Sequence, residues 1–145
     1  MSDIILASSS KYRALLLSRL GLPFKTLIPN IDETALSDES PVATAERLSL
    51  SKALAISQKH LNVPVIGADQ VADLDGQPIN KPGSFEEAYS QLVRQSGKKV
   101  LFHSGLAVVL HNEKGLVNQY SCVNTTSVTF RPLDDAQIRS YLSLE

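Results

Sequence analysis

A single cysteine, Cys122, stands among the 145 residues. One thiol excludes an internal disulfide, and the lack of any Cys/His cluster at zinc spacing excludes a structural zinc site. The expected place for such a residue is a buried or half-buried apolar position. Charge of one sign is also missing, since 14 basic and 15 acidic residues leave a net charge of −1. No global field therefore favours a nucleic-acid polymer or an anionic membrane surface, and any anion site has to be local. No window approaches the length of a membrane span. Met-Ser-Asp before Ile4 lacks the basic start and long apolar stretch of a signal peptide, so the expected location is the cytoplasm. Three familiar signatures are absent as well. There is no G-x-x-x-x-G-K-S/T of a P-loop, no G-x-G-x-x-G after a strand and no G-x-S-x-G nucleophile elbow. His60, His103 and His111 show no metal-ligand spacing and no triad partner, and read as structural or surface residues.

What is present reads as one domain over residues 1–145, long enough to bury a substantial core. Ile4-Ile5-Leu6-Ala7 is a short apolar run suited to a strand buried on both faces. Ser10 is placed to cap a helix from about Lys11, whose apolar residues are Ala14, Leu15, Leu16, Leu17 and Leu20; Gly21 and Pro23 stop it. Phe24 to Thr34 reads as a strand running into a polar loop. Ser40-Pro41 opens a helix to about His60. Val63 to Ala72 is strand-like, and Asp75-Gly76 is a hairpin turn signal. Ser84 with Glu87 predicts a capping box and a helix to about Gly97. Lys99 to His111 and Leu116 to Phe130 are β-rich stretches joined by a loop at Asn112 to Gly115, and Asp134 with Gln137 starts a last helix. The order β-α-β-α-β-β-α-β-β-α predicts a mixed α/β domain, a sheet with flanking helices.

Several polar residues sit badly in this pattern. Asp69 interrupts "VIGADQVADL", a run otherwise fit for burial. It is either a strand-end acid facing water or a carboxylate that is paired or bound to metal, because burying it alone is costly. Lys52 falls on the apolar helix face of Ala45, Leu48, Ala55 and Ile56, and either snorkels to solvent or points into a site. Glu33 in "DET" and Lys81 in "NKPG" read singly as solvated loop charges. As a set they suggest more. Serines and Arg13 at a strand-to-helix turn offer hydroxyls, backbone N–H groups and a bidentate cation to phosphate oxygens. Two lysines could neutralise a polyphosphate, and two carboxylates could hold a hard divalent cation, one of them activating water. These are the parts needed for phosphoanhydride hydrolysis.

"ILASSSKYRALLL", "DET" at Asp32 to Thr34, "RLSLSKA" at Arg47 to Ala53, "IGADQV" at Ile66 to Val71 and "INKP" at Ile79 to Pro82 occur in one order along the chain. In that order and spacing they resemble the Maf family of nucleotide pyrophosphatases. The resemblance implies a Maf/ITPase-like α/β fold with a mixed twisted sheet, a cytoplasmic enzyme and a homodimer. It further implies cleavage of a nucleoside triphosphate between the α and β phosphates with Mg²⁺ or Mn²⁺. Carried over, Ser8, Ser10 and Arg13 would bind phosphates with Lys52 and Lys81. Glu33 and Asp69 would bind metal, and Asp69, Lys52 and Lys81 would be catalytic. Tyr12 and Gln70 stand where the 7-methyl-GTP branch differs from the dTTP/UTP branch. Tyr12 could stack on a cationic purine and Gln70 could read a base edge, or they are helix packing and a surface amide. Family chains continue past "IRSYLSLE" into a Gly-rich segment with further site residues, so the resemblance implies a shortened chain. With Tyr12 and Gln70 in place, the resemblance implies hydrolysis of 7-methyl-GTP to 7-methyl-GMP and pyrophosphate; a dTTP/UTP pyrophosphatase and a nucleotide-binding module without turnover are the competing expectations.

Overall fold

A computed structural model describes residues 3–144. The elements follow in the predicted order. They are β1 (Ile4–Ala7), α1 (Lys11–Ser18), β2 (Phe24–Leu27), α2 (Pro41–Ser57), β3 (Val65–Leu74), β4 (Gln77–Ile79), α3 (Phe85–Gln95), β5 (Lys99–His111), β6 (Val117–Thr129) and α4 (Asp135–Ser143). The sheet runs β2-β1-β3-β5-β6, with β4 paired to β3. β1 is parallel to β2 and β3, and the β3–β5, β5–β6 and β3–β4 pairings are antiparallel. The sheet is therefore mixed, as expected. β1 lies inside it, and Ile5, Leu6 and Ala7 are buried.

Local chemistry accounts for most boundaries. Asp75 and Gly76 both have positive φ, 54° and 85°, the backbone that a two-residue hairpin turn needs. Ser40 caps α2 by accepting a hydrogen bond from the Ala43 amide, with Pro41 in the first turn. Asp134 and Gln137 form the complete reciprocal capping box of α4. The Ser84 box forms only by half. Ser84 accepts from the Glu87 amide at 3.1 Å, but the Glu87 carboxylate accepts instead from the Gly83 amide at 2.6 Å.

The core forms where α2 lies against β3 and β5. Ile5, Ala7, Ala53, Ile56, Val65, Ala107 and Val109 make one buried cluster. The sheet-facing side of α2 is Thr44, Ala45, Leu48, Ser49, Lys52, Ala53, Ile56 and Ser57, which excludes Ala55 from the face predicted for it. Leu50 and Leu54 pack at the margin of the same cluster. α1 differs more. Its leucines have the helical spacing, yet none of its residues is buried; Leu15 and Leu16 are over half exposed, as is Leu20, which falls just past the helix end. Cys122 is half-buried.

Two glycines set how close α2 comes to the sheet. A methyl group on Gly67 would overlap the Ser49 carbonyl oxygen and press on the Ala53 nitrogen at 2.9 Å, and one on Gly105 would overlap the Ala45 carbonyl. Small residues on the helix, Ala45, Ser49 and Ala53, meet bare backbone on the strands. Gly105 is the cross-strand partner of Asp69, and Gly67 precedes Asp69 by two on the same strand face. The close approach is therefore centred where a charged side chain of α2 can reach Asp69.

Candidate active site

Asp69 lies in the middle of β3, not at its end, and is 9% exposed. Strand alternation turns it toward α2. Lys52, 7% exposed, comes from that helix, and its Nζ donates to Asp69 Oδ1 at 2.9 Å. The same Nζ lies 2.9 Å from Glu33 Oε1. One ammonium thus joins two carboxylates whose positions in the chain are far apart. The snorkelling alternative does not describe it. A buried Asp is tolerable here because a charge-assisted hydrogen bond satisfies it.

Above this pair opens a cleft of about 710 Å³, lined by Ser8, Ser9, Ser10, Lys11, Tyr12, Arg13, residues 28–31, Glu33, Lys52 and Lys81. The turn between β1 and α1 forms one wall. Ser8 accepts a hydrogen bond from the Ser10 amide at 3.0 Å, and Ser10 caps α1 by accepting from the Arg13 amide at 3.2 Å. Local bonds between side chain and backbone therefore shape the turn without glycine. Tyr12, in the first turn of α1, is 82% exposed with its ring at the cleft. Lys81 reaches the cleft from the loop after β4. That loop is tied to α3 by Gln91 Nε2 donating to the Asn80 carbonyl and by Glu87 accepting from Gly83.

The structure thus brings Ser8, Ser10, Tyr12, Arg13, Glu33, Lys52 and Lys81 to one cleft, with Asp69 beneath it through Lys52. It does not bring Gln70 there. Gln70 follows Asp69 and so faces the other side of the sheet, where its Nε2 donates to Ser104 Oγ at 3.0 Å. Lys11 and residues 28–31 line the cleft but were not singled out from sequence; for Lys11 the signal was its place inside the serine turn. Glu33 after β2 and Asp69 within β3 were visible in the sequence, but nothing in the spacing pointed to the partners of Glu39 or to the burial of His103. His103 is 3% exposed and bridges Asp73 and Thr125 at 2.8 Å each.

The site's electrostatics follow from these contacts. The hydrogen bond from Lys52 holds Glu33 below the usual carboxylate range against the opposing effect of burial, and the charges of Lys52, Lys81 and Arg13 add to the lowering. Glu39, in the loop just before α2, is brought down to about 2, first by its hydrogen bond from Arg47 and then by those from Leu36 and Thr44. A folded-state pKa below the unfolded one stabilises the fold above the unfolded value of 4.5. That contribution declines as pH falls toward 2. Glu39→Gln should therefore be less stable than the parent at neutral pH, with the difference closing between pH 4.5 and 2. Chemical denaturation across that range checks it, and a difference independent of pH would refute it.

Two carboxylates able to meet on one ammonium can meet on one metal cation, and hard oxygen donors suit Mg²⁺ or Mn²⁺. Among the described residues no group of three or more His, Cys, Asp or Glu is placed to hold a metal. The donor set therefore fits a cation that keeps waters or takes ligand oxygens for its remaining positions. No helix among the described residues is long and apolar enough to cross a membrane.

Known proteins resemble this chain in sequence and in fold. The 7-methyl-GTP pyrophosphatase of Bordetella avium (strain 197N) is 50% identical over 142 residues, which span 98% of this chain and 70% of that protein. The protein of the same name from Cupriavidus pinatubonensis is 48% identical over 143 residues, 98% of this chain and 70% of its own. Among solved structures, a HAM1 protein from Coxiella burnetii superposes with a TM-score of 0.57 at 19% identity, over 99% of this chain and 98% of its own. A nucleoside-triphosphatase, or dITP/XTP pyrophosphatase, from Mycobacterium abscessus gives 0.53 at 16%, over 98% and 93%. At those identities the structural likeness is one of fold. The family described as Maf-like protein matches residues 3–145, the same span that carries the serine turn, the Glu33–Lys52–Asp69 triad and Lys81; the chain belongs to the Maf family.

Proposed function

We propose that this chain is a metal-dependent nucleoside triphosphate pyrophosphatase that converts 7-methyl-GTP to 7-methyl-GMP and pyrophosphate. The observation that carries the reading is Lys52, buried and held at 2.9 Å by both Glu33 and Asp69 at the floor of a cleft walled by cations and hydroxyls. The names of relatives at 45–50% identity supply the nucleotide.

In this reading Ser8, Ser10 and Arg13 hold the phosphates, and Lys52 and Lys81 offset their charge. A divalent cation, Mg²⁺ or Mn²⁺, bound by Glu33 and Asp69, would neutralise phosphate oxygens. Asp69 accepts the proton of the attacking water. The water oxygen bonds to the α-phosphorus, the α–β anhydride bond breaks, and pyrophosphate leaves with the bonding electron pair. Lys52 orients Asp69 by fixing Oδ1, leaving the carboxylate little freedom to turn. Tyr12, exposed at the cleft, stacks on the base, and a methylated guanine carrying positive charge gains from the π face. Gln70, bonded to Ser104 on the far side of the sheet, acts at a base only by leaving that bond. The setting is the cytoplasm. The exposed Leu15 and Leu16 of α1, with Leu20 just past its end, support a homodimer, since exposed apolar patches of this kind mark association surfaces.

The test is pyrophosphate release from 7-methyl-GTP, UTP and dTTP at equal concentration with Mg²⁺. A clear preference for 7-methyl-GTP is expected. Tyr12→Ala should raise its KM by roughly 2- to 30-fold, the range of cation–π energies, and change kcat little. A preference for UTP or dTTP overturns the substrate assignment. Nucleotide binding by calorimetry without release makes the chain a binding module.

A further inference from the structure

We propose that the Glu39–Arg47 pair is a positioning device for Glu33, setting how tightly the two carboxylates of the site hold their cation. The proposal rests on the reading of Glu33 and Asp69 as the metal-binding pair. Glu33 lies in residues 28–40, a segment between β2 and α2 without regular secondary structure. Among the described residues, the tie that its side chain makes to the rest of the fold is the Lys52 ion pair. The Glu33 side chain is 59% exposed in that pair, and exposed pairs order a chain weakly. Something else has to hold the loop.

Arg47 does so from α2, five residues before Lys52. Its Nη2 donates to the carbonyl of Thr34, the residue directly after Glu33, at 3.1 Å. The same guanidinium forks onto Glu39, with Nε to Oε2 at 2.6 Å and Nη2 to Oε1 at 3.0 Å. Glu39 also accepts from the Leu36 amide at 3.1 Å and from Thr44 Oγ1 at 2.8 Å. The segment from Thr34 to Glu39 is therefore pinned at both ends onto one helix, with Leu36 tied to Glu39 between them, and that helix is locked to the sheet by Gly67 and Gly105. Lys52 and Arg47 hold the two sides of Glu33 from a single rigid element. Only a planar guanidinium can fork onto a carboxylate and reach a third acceptor in this way. The Glu39 side chain is 9% exposed and Arg47 28%, and neither belongs to the apolar cluster. Their contacts serve the loop rather than the core. Residues that orient a metal ligand, rather than touch the metal, typically change affinity 10- to 100-fold when removed.

The experiment measures Mn²⁺ binding to nucleotide-free protein by calorimetry, on samples shown to be folded by circular dichroism. It is repeated as the Mn²⁺ midpoint of pyrophosphate release. Arg47→Met should weaken Mn²⁺ binding by about tenfold or more and raise the midpoint equally. kcat should largely recover at saturating metal, because Asp69 and Lys52 remain. Arg47→Lys should fall between parent and Arg47→Met, since an ammonium keeps the charge but not the fork. Should Arg47→Met not fold, Glu39→Gln gives the same readouts, as it keeps the shape and loses the charge. Mn²⁺ affinity within twofold of the parent in folded Arg47→Met or Glu39→Gln overturns the proposal. So does a kcat loss that saturating metal does not restore, or a parent protein that binds no Mn²⁺. Absence of turnover with intact Mn²⁺ binding defeats the pyrophosphatase reading instead, and the calorimetry still decides the role of Arg47.

Discussion

Asp69→Asn should lower pyrophosphate release by about 10²- to 10⁴-fold, the range that a positioned general base contributes. The fold should remain intact. Asparagine keeps an oxygen that can accept from Lys52, and Lys52 keeps Glu33 as a second partner at 2.9 Å. The usual penalty for stripping one member of a buried ion pair is therefore blunted. Loss of rate without loss of structure separates chemistry from packing. The measurement is pyrophosphate release from 7-methyl-GTP at saturating nucleotide and Mg²⁺, beside a thermal melt. A rate within threefold of the parent would remove Asp69 from the proton-transfer role. It would also remove the reason for a carboxylate in the middle of a buried strand.

Gly67→Ala should unfold the protein more readily than any surface change, by about 3 kcal/mol or more, the upper range for overpacking. The added methyl would meet backbone, the Ser49 carbonyl and the Ala53 nitrogen, which cannot rotate away as a side chain would. Either α2 lifts from β3 or the strand distorts. At this chain length the cost corresponds to a melting temperature lower by roughly 10 °C. Gly83→Ala is the control. Its nearest neighbour is the flexible end of the Glu87 side chain at 3.3 Å, and a change within about 0.5 kcal/mol is expected. Equal melting temperatures for the two variants would show that α2 does not depend on bare backbone at Gly67. The change should also reach the site. Lifting α2 moves Lys52 off Asp69, so the surviving folded Gly67→Ala protein should bind Mn²⁺ differently from the Gly83→Ala protein.

Local chemistry was legible in the sequence wherever one short stretch contains the whole cause. Asp75-Gly76 demands positive φ at both residues, Ser40-Pro41 can hardly be anything but a helix start, and Asn112 to Gly115 closes a hairpin. Failures came where a second element decides. Glu87 had the correct spacing for a reciprocal box but bonded one residue further back, because the loop after β4 presents the Gly83 amide. The leucines of α1 had helical spacing, yet periodicity says only that residues share a face, not that anything covers it. Gln70 adjoins Asp69 in sequence and lies on the other side of the sheet in space, a consequence of the two-residue period of a strand.

The candidate site divides along the same line. The sequence alone determined the parts: a serine turn that caps a helix, an acid in an apolar strand, a lysine on an apolar helix face and two loop charges. Each follows from residue type and local spacing, and their order along the chain matches the Maf family. Only the tertiary structure decided that Glu33, Lys52 and Asp69 meet at 2.9 Å, and that Arg47 holds the loop beside them. These residues are separated by turns, a whole helix and a strand. Their meeting depends on α2 docking closely over Gly67 and Gly105, a distance set by backbone contact across the sheet that no local pattern encodes.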